Sequence, residues 1–77
     1  NGIRVNCVAP GLVDTPQSRG STASTETFES RIKAHPMQRV GNPNEISNLI
    51  LFLASDEASY ISGETIIIDG GERASAQ

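Results

Sequence analysis

The sequence predicts an α/β chain built around a parallel sheet, and three observations carry that prediction. An apolar segment alternating with polar residues opens the chain, from Ile3 to Ala9. A second strand-like segment, Thr65 to Asp69, holds three consecutive isoleucines. Between them, apolar residues recur at helical spacing from Ile46 to Ala54. Two strands joined through helices make a crossover of the βαβ type, which is right-handed in nearly all sheets.

Ile3, Val5, Cys7 and Ala9 alternate with Arg4, Asn6 and Val8, the period of a strand, and Pro10-Gly11 is expected to stop it as a turn. Ligands of open α/β sheets sit beyond the carboxyl ends of the strands, so chemistry is expected at this turn. Thr15-Pro16 then has the form of a helix cap followed by proline at the first helical position. Gln17 to Thr25 is polar and rich in Ser and Thr, a loop by composition. Thr25 to Lys33 fits a short helix: Phe28 and Ile32 form an apolar pair, Glu29 precedes Lys33 by one turn, and Pro36 ends it. His35, between Ala34 and Pro36, reads as a loop residue.

Asn42, Pro43 and Glu45 form a helix start in which the cap residue and the glutamate can satisfy each other's amides. Ile46, Leu49, Ile50, Leu53 and Ala54 follow at the spacing of one helix face, broadened by Leu51 and Phe52, and this face is expected against a sheet. Ser55-Asp56-Glu57 closes the helix. The isoleucines of Thr65–Asp69 do not alternate with polar residues, so both faces of that strand are expected to be covered. Gly70-Gly71 ends it, and a polar tail follows.

Seventy-seven residues with 36% hydrophobic and 4% aromatic content suit at most one small domain. A chain of this size buries about 60% of its unfolded surface, so a self-sufficient core is marginal. The single cysteine, Cys7, excludes an internal disulfide and is read as a small buried side chain. Net charge is −3 with the six basic residues scattered, which argues against a nucleic-acid partner. No apolar run approaches the ~20 residues needed to span a bilayer, and a cytoplasmic setting is expected.

Three blocks, NGIRVNCVAPGLVDTP, PMQRVGNPNEI and FLASDEASYISGETIIIDGG, resemble in order and spacing the C-terminal part of a short-chain dehydrogenase/reductase. The resemblance implies a Rossmann-like doubly wound parallel sheet, of which residues 1–77 supply the last two strands and the flanking helices. It places a substrate loop at about 17–33, the main helix at about 43–55 and the last strand at about 65–69. It implies hydride transfer between NAD or NADP and an alcohol or carbonyl substrate, and a homo-oligomer in the full-length context. Pro10 and Gly11 would bring backbone close to the nicotinamide end of the cofactor. Val13 would offer its backbone to the carboxamide, and the Thr15 hydroxyl would reach the same group or the adjacent phosphate. From its residues alone Thr15 reads equally as a cap, and Pro10-Gly11 as a turn. Arg39 and Gly41 read as structural, and Asp14 as a capping or solvated carboxylate.

The family's chemistry requires a Tyr, a Lys four residues later, a Ser and a Gly-rich phosphate turn. The sole tyrosine, Tyr60, is followed four residues on by Glu64, a carboxylate that would raise a phenol's pKa rather than lower it. No catalytic residue is therefore assigned. The chain reads as the end of a longer protein, inactive and poorly folded by itself. The alternative is a non-catalytic truncated chain acting as an interaction or oligomerisation partner.

Overall fold

Two short parallel strands set the frame. The computed structural model describes residues 2–15 and 25–75. In it β1 (Cys7–Pro10) pairs with β2 (Thr65–Ile68) in parallel, in register from Cys7 opposite Thr65 to Pro10 opposite Ile68. Between them lie α1 (Thr25–Ala34), α2 (Pro43–Ala54) and a 3-10 turn (Asp56–Ala58), and α3 (Glu72–Ser75) follows β2. The α/β class and the parallel sheet expected from the sequence are observed.

β1 starts later than its alternation suggests. Ile3 and Val5 precede the strand and are 80% and 70% exposed. Backbone and side chains share the pairing there: the Val5 carbonyl accepts from the Gly63 N–H at 2.7 Å, the Val5 N–H donates to Ser62 Oγ, and Asn6 donates to the Ile61 carbonyl while accepting from the Glu64 N–H, both at 3.0 Å. Arg4 donates to the carbonyls of Ile61 and Ser55, fastening the end of α2 and the next turn to the chain's first residues. Regular pairing begins where the Cys7 N–H meets the Glu64 carbonyl at 2.8 Å. Pro10 belongs to the strand rather than to a turn, and the chain leaves the sheet only at Gly11.

α2 begins as its residues dictate. The Asn42 side chain accepts from the Asn44 N–H, and Glu45 accepts from the Asn42 N–H, each at 2.9 Å, with Pro43 in the first turn where no amide is needed. α1 likewise stops at Ala34, two residues before Pro36.

Burial departs from expectation. Leu53 is the buried residue of α2, whereas Ile50, Leu51 and Phe52 are exposed. Ile67, expected under cover, is 42% exposed, and Cys7, expected buried, is exposed too. The reason is width: a pair of four-residue strands cannot cover a twelve-residue helix or be covered on both faces. The radius of gyration, 14.7 Å, exceeds the ~11.5 Å of a compact chain of this length. Among the described residues the buried apolar set is Leu12, Phe28, Leu53 and Ala58. No helix among them is long and apolar enough to cross a membrane.

Candidate functional site

The segment that leaves β1 is held by its own backbone. The Gly11 N–H donates to the Ile68 carbonyl (3.1 Å), which carries the sheet pairing one residue past β1. Gly41 then takes over as partner: its N–H donates to the Leu12 carbonyl at 2.9 Å and its carbonyl accepts from the Asp14 N–H at 2.8 Å. This is a parallel bridge between Val13 and Gly41. In such a bridge the flanking residues 12 and 14 supply the bonds, so the N–H and C=O of Val13 lie on the opposite edge of the segment. Leu12 is buried beneath it.

Gly11 is required by the fold itself. A Cβ at this position would lie 2.6 Å from Asp69 Cβ and 3.0 Å from Asp69 Cα. The space that glycine leaves is therefore taken by the end of β2. Asp69 accepts from the N–H groups of Gly71 and Arg73, both at 2.9 Å. These amides, that of Arg73 first, hold its carboxyl below the usual carboxylate range.

Gly41 owes its place to the turn that starts α2. Arg39 forms a two-pronged pair with Glu45 at 2.8 and 2.9 Å, and Glu45 also accepts the Asn42 amide. The Arg39 guanidinium, with that amide, pulls the Glu45 carboxyl down to about 2. A cleft of about 130 Å³ opens beside the junction, lined chiefly by Leu12, Val13, Met37, Ile46 and Ile68, with Asp69 at its margin. Pockets that enclose a drug-sized ligand run from about 300 Å³, so these residues form one wall and not a whole site. The nearby guanidinium of Arg39 is already engaged by Glu45.

The family described as Enoyl-(Acyl carrier protein) reductase matches residues 1–72 of the chain. The chain belongs to the short-chain dehydrogenase/reductase family. It is 51% identical over 70 residues to the 3-oxoacyl-(acyl-carrier-protein) reductase FabG of Thermotoga maritima, covering 90% of this chain and 27% of that protein. It is 46% identical over 71 residues to a tropinone reductase homolog of Arabidopsis thaliana, covering 92% of this chain and 26% of that protein. A short chain dehydrogenase family protein from Francisella tularensis subsp. tularensis SCHU S4 superposes with a TM-score of 0.86 at 38% identity, over 95% of this chain and 34% of that one. The chain thus spans about a quarter of the length of the two curated relatives.

Within this short-chain dehydrogenase/reductase chain, the four residues singled out from the sequence lie on one continuous segment. Pro10 ends the strand, Gly11 packs on Asp69, Val13 bridges to Gly41, and Thr15 is the last described residue before position 16. Pro16, the second residue of the cap assigned to Thr15-Pro16, and the loop at 17–24 lie outside the described residues. Tyr60 is fully exposed. Three contributors were not legible. Asp69 shapes the turn from 58 residues away, and no local pattern marks a packing partner at that separation. His35, read as a loop residue, is buried at 2% exposure. Glu72, read as part of a polar tail, is bonded to Arg31, 41 residues distant in sequence. Among the described residues no cluster of His, Cys, Asp or Glu could hold a metal ion.

Proposed function

We propose that the chain is the carboxyl-terminal segment of an NAD(P)-dependent oxidoreductase that transfers a hydride between nicotinamide and an alcohol or carbonyl compound. The observation that carries this reading is the place of the segment from Pro10 to Thr15 at the carboxyl end of the sheet, where the bridge to Gly41 holds Val13. Pro10 and Gly11 aim the segment across the end of β2. Val13 pairs its N–H and C=O with the carboxamide, and Thr15 adds a hydroxyl to the same group or the adjacent phosphate. The dinucleotide, NAD or NADP, supplies or accepts the hydride when bound. Residues 17–33, leading into and through α1, face the substrate in this reading.

The acid–base Tyr and its Lys are supplied by sequence ahead of residue 1. The exposed apolar residues Ile50, Leu51, Phe52 and Ile67 favour further chain packed on this segment, because such residues stabilise a fold only when covered. Both of these relatives are named as reductases, which favours the carbonyl-reducing direction. A cytoplasmic homo-oligomer completes the reading.

The test is made on the full-length protein, by following NADH and NADPH oxidation with a panel of ketones. Turnover with one of them is expected, and Thr15→Val should raise the dinucleotide KM about fivefold, the value of one hydrogen bond of ~1 kcal/mol. A protein that oxidises neither dinucleotide, or whose sequence ahead of residue 1 holds no Tyr-x-x-x-Lys, overturns the proposal.

A further inference from the structure

The end of α1 and the start of α3 are tied together by a cluster that the site above does not use. Glu72, the first residue of α3, receives both prongs of Arg31: Nε at 3.1 Å on Oε2 and Nη2 at 3.2 Å on Oε1. The His35 ring lies on the same carboxylate, with Nε2 3.3 Å from Oε1. That nitrogen is buried and outside hydrogen-bonding geometry, and the Glu72 carboxylate is the group it faces. The other ring nitrogen, Nδ1, is 2.7 Å from the Arg31 carbonyl, which fixes the ring against the last turn of α1.

Packing reinforces the charges. Gly70 and Gly71 both take left-handed φ, +65° and +90°, and turn the chain sharply after Asp69. A Cβ on Gly71 would lie 3.1 Å from the Pro36 ring, and one on Gly70 would lie 3.7 Å from Met37. The His35-Pro36-Met37 corner thus rests on the Gly70-Gly71 turn, and Glu72 emerges directly beneath Arg31 and His35. Among the described residues α1 makes no broad contact with another element. Phe28 is buried in its middle, and the clamp grips its last turn.

We propose that Glu72 is a positioning residue. Through Arg31 and His35 it sets the direction of α1, and so the affinity of the enzyme for its alcohol or carbonyl substrate. The proposal rests on the reading of residues 17–33 as the substrate-facing segment. Glu72 itself need touch neither substrate nor dinucleotide. Its carboxylate acts only by fixing the helix.

The experiment compares wild type, Glu72→Gln and the charge-swapped pair Arg31→Glu with Glu72→Arg in the full-length protein. It reads steady-state kinetics together with hydrogen exchange at the amides of residues 31–35. Glu72→Gln should speed exchange at these amides and raise the carbonyl KM about two- to fivefold, the range of a half-exposed ion pair, with kcat and dinucleotide KM unchanged. The swapped pair should recover part of the KM. Faster exchange with unchanged carbonyl KM makes the clamp architectural only and overturns the proposal, as does an equal loss in all three kinetic parameters. If wild type oxidises neither dinucleotide, the reading of function fails and the role in substrate affinity fails with it. The exchange arm then separates the two: faster exchange in Glu72→Gln leaves the clamp standing, and unchanged exchange removes it as well.

Discussion

Replacing Gly11 by alanine is the sharpest test of how β1 hands over to the candidate site. The new Cβ would sit 2.6 Å from Asp69 Cβ and 3.0 Å from Asp69 Cα. Neither is the end of a flexible side chain, so backbone must move, and overpacking of this kind costs about 1–3 kcal/mol. Gly11 is not among the glycines with positive φ, so alanine fits its backbone and gains about 0.4–1 kcal/mol from a less disordered unfolded state. The net expectation is a loss of about 1–2 kcal/mol, or roughly 2–8 °C in Tm of the full-length protein. Far-UV circular dichroism in a urea or thermal series is a suitable probe. Asp69→Gly in the same background should recover part of the loss, and a double-mutant cycle isolates that term. An unchanged or raised midpoint for Gly11→Ala refutes the packing argument.

Other outcomes follow from the same contacts. Gly63 has φ +77° and nothing within 4 Å of an added Cβ, so Gly63→Ala should lose about 1–2 kcal/mol through backbone strain alone, with no rescue by any neighbour. The Glu45 carboxyl lies at about 2 when folded against an ordinary value of 4.5. Its stabilisation is therefore complete above the ordinary value and is lost as pH falls toward the folded one. The Tm gap between wild type and Glu45→Gln should stay flat above about pH 5 and close below it; a gap that widens on acidification contradicts the Arg39 pairing. Asn6→Ala removes both side-chain bonds to the Ile61–Glu64 turn and should destabilise by about 1–2 kcal/mol in the same melts. The exposed Cys7 thiol should react readily with a thiol reagent in the 77-residue chain and slowly in the full-length protein. Equal rates would argue against further chain over this face.

What the sequence discloses here is local. The start of α2 is written in Asn42, Pro43 and Glu45, whose mutual bonds span three residues, and the end of α1 in Pro36. The parallel pair is legible because three isoleucines in a row suit only a strand with neighbours. Burial was not legible, because it depends on what lies opposite: Ile67 and Cys7 have the composition of covered residues and stand exposed beside a sheet of two strands. The Glu72 clamp and the Gly11–Asp69 contact join positions with no periodic relation to one another. In the candidate segment the motif located residues 10–15, but Gly41 is the residue that turns the Val13 edge outward, and only the pairing reveals it.

Pro10 limits where the sheet can grow. The N–H groups of Cys7 and Gly11 point to β2, so the alternation of a parallel ladder turns the nitrogens of Val8 and Pro10 to the far edge. Val8 can donate there, and Pro10, an imide, cannot. A strand zipped onto that edge would run out of donors at residue 10, one residue short of the last bond to β2 at Gly11. The two flanks of β1 therefore close unevenly, with a notch on one side just where the outward edge of Val13 begins. A proline at this position keeps that notch from being sealed by the sheet's own hydrogen bonds.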